Sequence, residues 1–285
     1  MNIMLLNIGY SELEANWNWK KIYSPFARIY YVKGGEARTF INGEPHRLKP
    51  DHLYLTPPFT LHDDECDSFF SLYYIHFYEN EPNRESFFDR YRFPVEIEAT
   101  PLDLSLIRRL QEIHPDRFLR YIDPQVYDNL PTFSYYAADN QKMPLHLSEE
   151  TQGILSQLMS RFLALRQDKM ESSDPRISKC LRHIHENIGR NIRLEQLADI
   201  SCTTTDHLIR LFKKEMGNTP LHYIITKKIE KAQLLLLTTD RAVRDIALDL
   251  SIDNISYFNR LFKAAIGLTP GEYRSANSKK YTPGY

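Results

Sequence analysis

The chain has 285 residues, enough for two domains of ordinary size, each with a core of its own. A formal net charge of −1 and a pI near 6.8 give no overall signal for a polyanionic partner, and three cysteines, Cys66, Cys180 and Cys202, are too few and too scattered for a disulfide framework or a zinc finger. The near-neutral average hides an asymmetry: up to Pro175 there are 18 Lys+Arg against 26 Asp+Glu, a balance of −8, and from Arg176 onward 18 against 11, a balance of +7.

The opening MNIMLLNIGYSELEANW carries no basic segment and too short an apolar run for a signal peptide, and no stretch is long enough to span a bilayer, so a soluble cytoplasmic protein with no membrane partner is expected. From position 27 the pattern is strand-like: ARIYYV, EARTFI, the hairpin signal Asn42-Gly43, DHLYLTPP and FFSLYYIHF. These short runs predict a small antiparallel sandwich or barrel over residues 1–100, drawn here as an N-terminal β-barrel. Aromatics crowd this stretch, as core or as the wall of a pocket in the barrel mouth. In the last run Leu72, Tyr74, His76 and Tyr78 share one face. Of His46, His52, His62 and His76 no two form an H-x-H pair, and Asp63, Asp64 and Glu65 read as a solvated loop, so neither a metal nor a cofactor is expected.

Residues 101–170 read as helical: LDLSLIRRLQEI, an irregular Pro- and Tyr-containing stretch, then a long segment opened by a capping sequence at Ser148. Leu155, Leu158, Phe162 and Leu165 follow 3, 4, 3 spacing, a seam that either zips to a second copy of the chain or packs on its own domain. The polar ESSDP at 171–175 coincides with the charge switch and reads as the linker.

Residues 176–285 form the basic module, whose charge points to nucleic acid. After the amphipathic ISKCLRHIHENI comes a short helix with Leu197 and Ala198, a turn at Ser201 to Thr203, a hydroxyl cap at Thr204 or Thr205, and a helix with Leu208, Leu211 and Phe212 on its apolar side. The same phrase returns with Ile246-Ala247, a cap at Asp253 or Asn254, and Phe258, Leu261 and Phe262. Gly217 and Gly267 stand where a helix end needs positive φ, and Thr219-Pro220 and Thr269-Pro270 open the next helix in each copy. PLHYIITKKIEKAQLLLL lies between the copies; as one helix it spans about 27 Å and holds two reading heads about one DNA turn apart.

The stretch from Arg176 to Arg274, above all IALDLSIDNISYFNRLFKAAIGLTPGEYR, resembles the two-headed DNA-binding domain of AraC-family transcriptional regulators. The front half, with KPDHLYLTPPFTLH and YYIHF, resembles the cupin-like sensor domain that such regulators often carry. The resemblance implies a two-domain α+β protein: a cupin-like barrel with a helical segment, then an all-α double helix-turn-helix. It implies base-facing positions at Thr204, Asp206, His207, Ile209 and Arg210 in the first head and at Asn254, Ile255, Ser256, Asn259 and Arg260 in the second. Arg210 and Arg260 fork onto guanine, clamp phosphate or instead satisfy a carboxylate of their own domain; Asn259 suits an adenine edge, Ser256 suits either purine, and the isoleucines meet thymine methyls. Lys213, Lys214, Arg244 and Lys263 are expected on phosphates. Ser251 stands where the family usually has glycine.

The expected function is a ligand-responsive transcription factor without catalytic activity. Its partners are double-stranded DNA, a small-molecule effector such as a sugar, RNA polymerase, and a second copy of itself in a homodimer. Lys33, Arg38, His62, Tyr74 and His76 are the expected effector contacts, because a sugar needs hydrogen-bonding groups over an aromatic face. The competing reading is a ligand-independent regulator whose front half only dimerises or binds another protein.

Overall fold

The structure, a computed structural model, describes all residues except 1, 16, 81–85, 125–135, 137, 141, 169–173 and 279–285. The described residues fall into two compact units: 2–80 with 93–166, and 86–92 with 167–278. The first three residues of the expected linker, 171–173, lie outside the described residues, and Pro175 is already helical behind its cap Asp174.

The first unit holds two antiparallel sheets. One has the order β1-β8-β3-β6-β10 and is built from β1 (Ile3–Leu13), β8 (Phe70–Glu79), β3 (Ala27–Gly35), β6 (His52–Thr56) and β10 (Glu96–Glu98). The other has the order β2-β7-β4-β5, from β2 (Asn18–Ile22), β7 (His62–Glu65), β4 (Ala37–Ile41) and β5 (Glu44–Leu48). The expected β-barrel is not closed: each sheet keeps two edges, β1 and β10 in one and β2 and β5 in the other. The chain crosses between sheets after Gly35, just past a register slip between Val32 and Gly34, and Gly35 takes φ 74°. A Cβ on Gly35 would lie 2.0 Å from the carbonyl oxygen of Phe69, so only glycine permits the crossing. Asn42 and Gly43, at φ 51° and 86°, make the expected tight hairpin between β4 and β5.

Strand alternation divides the five-stranded sheet into two unlike faces. Leu55, Ile29, Ile75 and Ile8 form an apolar row across four strands. The adjacent row, pointing the opposite way, is Thr56, Arg28, His76 and Asn7, all buried. Next on that face come Tyr54, Tyr30 and Tyr74, which join Trp17, Leu48, Phe70 and Leu72 in one cluster.

Two helices complete the unit, α2 (Pro101–Ile113), opened by a reciprocal cap between Thr100 and Asp103, and α3 (Leu145–Leu163). The long helix starts one turn before the expected Ser148, because the Pro144 carbonyl accepts from Leu147 and Ser148. Leu155, Leu158, Met159 and Phe162 are fully buried within the unit, where α3 packs on α2 and β1. The seam is therefore spent inside its own domain, leaving only Leu165 exposed.

In the second unit, α4 (Pro175–Glu186), α5 (Leu194–Ile200) and α6 (Thr205–Met216) form one head, and α8 (Val243–Asp249), α9 (Ile255–Ile266) and α10 (Pro270–Ser278) form the other. The 19-residue α7 (Pro220–Thr238) runs about 28 Å and serves both. Its Ile224 packs with Ile177, Ile184, Leu208 and Phe212; its Ile229, Ala232 and Leu236 pack with Ile246, Leu250, Phe258 and Phe262. A short strap also belongs to this unit: α1 (Phe87–Arg90) leads into β9 (Tyr91–Arg92), which pairs with β11 (Gln167–Asp168). Asp89 in the strap accepts at 2.6 Å from the Lys227 ammonium on α7, which Glu230 also holds at 2.8 Å.

Candidate functional site

Each head places its second helix on the outside of a dry core. In α6 the Thr204 hydroxyl caps the helix by accepting from the His207 N–H, and in α9 the Asn254 side-chain oxygen accepts from Tyr257 N–H at 2.9 Å. Gly217 and Gly267 end these helices at φ 79° and 84°. The turns match as well: Thr203 N–H donates to Ala198 and Ile252 N–H to Ala247, with Cys202 and Ser251 at φ 52° and 51° between the helices. Left-handed backbone costs a non-glycine residue about 1–2 kcal/mol, so Ser251 accepts the strained conformation rather than changing the turn.

Leu208, Phe212, Phe258 and Phe262 fix the buried faces, and this decides what remains outside. Thr204, Asp206, His207, Arg210, Lys213 and Lys214 are exposed in the first head, as are Arg244, Asn254, Ile255, Ser256, Arg260 and Lys263 in the second. Ile209 and Asn259 are half-buried, so the exposure expected for Ile209 is only partial. Among the described residues neither Arg210 nor Arg260 pairs with a carboxylate. Arg210 donates to the Asp206 carbonyl at 3.4 Å, and the Arg260 guanidinium lies 5.3 Å from the Tyr257 ring centre. The surface therefore presents two exposed helices with cations toward their C-terminal turns.

The second site lies in the first unit, between the sheets. Arg28, His62, Asp64 and His76 are each at most 2% exposed. Arg28 and His76 are register partners in one sheet; in the other, Asp64 stands beside Thr39 and Trp19, and His62 lies two residues along on the same face. Electrostatics put them in one neighbourhood. Burial pushes the His62 imidazole down to about 3, with the Arg28 charge adding to it. The same two causes, and His62 itself, hold His76 well below the usual histidine range. Burial raises the Asp64 carboxyl to about 6, against the pull of Thr39 and Arg28. Arg28 donates to the Ser24 hydroxyl at 2.7 Å and stacks 4.4 Å from the Phe26 ring centre.

Several polar atoms here lack a hydrogen-bond partner among the described residues: Asn7 Oδ1, Trp19 Nε1, His62 Nε2 and Asp64 Oδ1. His62 Nδ1 lies 3.0 Å from the Thr60 carbonyl, which can only accept, so Nδ1 carries the proton and Nε2 is left as an acceptor. The set is three acceptors and one donor. An unsatisfied buried polar group costs about 1–3 kcal/mol, so four of them in one core mark a place built for something other than packing.

The structure brings together His62 and His76 of the expected effector residues. Tyr74 faces the same interior but is committed: its hydroxyl accepts from Leu119 N–H at 2.7 Å, and it fills the space over Gly9, where a Cβ would lie 2.3 Å from the Tyr74 oxygen. Lys33 and Arg38 lie outside, exposed, with Arg38 held by Asp67 at 2.8 Å and Glu65 at 3.6 Å. The sequence reading missed Arg28, Asp64, Trp19 and Asn7. The expected solvated loop at Asp63 to Glu65 is strand β7, with Asp64 turned inward. Two sequence signals were available: Arg28 keeps step with Tyr30 and Val32 in ARIYYV, and His62 and Asp64 are two apart.

Residues 12–115 match the model of an AraC-like ligand binding domain, and residues 197–276 match that of a helix-turn-helix domain. The uncharacterized HTH-type transcriptional regulator YfiF of Bacillus subtilis is 25% identical over 88% of this chain and 77% of its own length. The xylose operon regulatory protein of Escherichia coli is 30% identical over 39% of this chain, which spans only 29% of that relative. Among solved structures, unsaturated fatty acid-bound ToxT of Vibrio cholerae superposes with a TM-score of 0.48 at 15% identity, covering 98% of this chain and 96% of the other.

Proposed function

We propose, for a chain that belongs to the AraC family of DNA-binding transcriptional regulators, that a small molecule rich in hydroxyl groups, of the sugar or polyol class, binds between the two sheets and controls its action on DNA. One observation carries this reading: three buried acceptors and one buried donor stand without protein partners around Arg28 and His76. A ligand that satisfies them must bring mostly donors. Hydroxyls do this, and each hydroxyl also accepts, which suits Trp19 Nε1. A carboxylate would suit Arg28 but leave the acceptors of Asn7, His62 and Asp64 unmatched. A relative named for the xylose operon puts a sugar among the candidates, and the chemistry of this interior favours the same class.

On the DNA side, Arg210, Ser256, Asn259 and Arg260 with their helix neighbours Thr204, Asp206, His207, Ile209, Asn254 and Ile255 read base edges. Lys213, Lys214, Arg244 and Lys263 hold phosphates. The protein acts in the cytoplasm without a catalytic step, and its effect on transcription runs through RNA polymerase. If two copies pair, they use faces other than the α3 seam, whose Leu155, Leu158 and Phe162 are already buried.

The test is thermal unfolding of the full chain against a panel of monosaccharides, polyols and matched carboxylates. A ligand at a hundred times its dissociation constant stabilises the folded state by about 2.7 kcal/mol, or roughly 5–10 °C for a unit of this size. A shift from a hydroxyl-rich compound that disappears in Asp64→Asn supports the reading. Shifts from carboxylates alone, surviving in Asp64→Asn, would overturn it.

A further inference from the structure

Within the second unit, three hydrogen bonds join parts of the two heads that are far apart in sequence. The Lys228 ammonium, buried on α7, donates to two backbone carbonyls: Arg190, in the loop between α4 and α5 of the first head, and Leu250, at the end of α8 in the second. The Ser251 hydroxyl donates at 2.8 Å to the Gly189 carbonyl of that same loop. Packing there is close, since a Cβ on Gly189 would stand 3.2 Å from the Asp249 carbonyl. Two carbonyl oxygens brought together out of water repel unless a donor stands between them, and Lys228 supplies one to both heads.

We infer that Lys228 and Ser251 are positioning residues that latch the turn of the second head to the entry loop of the first, so that both reading helices move as one rigid body and accept a single half-site spacing. Helix α7 alone does not secure this. The first head packs on its beginning and the second on its remainder, so a bend near the middle would change the angle between them. The latch adds a second link beside that covalent connection: Ser251 of the second head reaches Gly189 of the first directly, and Lys228 ties both heads to the middle of α7. It also gives the serine a purpose: glycine would hold the same turn at φ 51° without strain but could not donate to Gly189.

The test measures the distance between heads in the full chain with spin labels at Glu195→Cys and Ala264→Cys, both exposed, with Cys202 replaced by serine. Otherwise unaltered protein is expected to give one narrow distance distribution, retained in Lys228→Arg, whose guanidinium still serves two carbonyls. Ser251→Gly should broaden it with little change in the thermal midpoint, and Lys228→Met should broaden it at least twofold. In selection from duplex pools the same variants should accept spacings one or two base pairs away from the single spacing of the parent. A distribution as narrow in Ser251→Gly and in folded Lys228→Met as in the parent would overturn the proposal. Should Lys228→Met fail to fold, Ser251→Gly decides alone, because its core is untouched.

Discussion

Between the sheets the polar groups are inside: Arg28, His62, Asp64 and His76 are buried, and Asn7 and Trp19 keep polar atoms without protein partners. In the two heads the order is reversed, with Phe212, Phe258 and Phe262 forming dry cores and Arg210, Lys213, Arg260 and Lys263 outside. On the proposed reading, stability and function sit on the same residues in the first region and on different residues in the second. An interior kept polar for the proposed ligand gives up stability, whereas a head can pack a conventional core and carry its chemistry on the opposite face of one helix.

The largest effect is expected where that separation is broken. Phe258→Ala should cost about 3–5 kcal/mol and abolish binding by the second head, seen as loss of the unit's cooperative transition in denaturant. If it cost under ~1 kcal/mol, the dry-core description would be wrong. Asp64→Asn should do the opposite. The folded carboxyl sits at about 6, above its ordinary value of 3.8, so its ionised form opposes folding at pH 7. The variant should stabilise the ligand-free sensor by about 2 kcal/mol, as followed by thermal unfolding, while losing the ligand response.

Acid sharpens the same contrast. His62 and His114 titrate in the folded state at about 3 and about 4, below the ordinary 6.5, both chiefly because of burial. Groups with a depressed folded pKa contribute stability that is present above 6.5 and lost as pH falls toward their folded values. Asp64, with a raised value, contributes stability fully present below 3.8 and lost as pH rises through about 6. Between pH 7 and 5 the three buried histidines, His76 among them, outweigh the aspartate, and the sensor should lose several kcal/mol. Differential scanning calorimetry should show its transition falling with acid; a transition that rose would reverse the account. Smaller effects belong to the exposed cations. Arg260→Ala should relax the preferred base at one position by about 1–3 kcal/mol, whereas Lys263→Ala should weaken all duplexes alike and lower the salt slope by about 0.9, both read from binding isotherms across salt.

The heads were largely legible in the sequence because their signals are local. Hydroxyl and amide caps at Thr204 and Asn254, glycines at 217 and 267, and the Thr-Pro openings each act within one turn of helix. Ser251 shows the limit: its partner Gly189 lies 62 residues away, and no local pattern predicts it. The sensor was legible as strands but not as a site. In β7 every residue is polar, so alternation leaves no hydrophobic trace, and the inward turn of Asp64 follows only once Arg28 is known to lie near it. Lys33 and Arg38 were plausible by residue type, but the pleat turns them outward. The barrel was expected from short alternating runs with turns between them, a pattern that two open sheets share.

The most direct test of the two-headed reader is selection from a random duplex pool by the full chain at about 0.1 M salt, where nonspecific phosphate binding is partly screened. The account predicts enrichment of two short motifs with centres about one helical turn, roughly 10 base pairs, apart. A single enriched motif, or none, would contradict it.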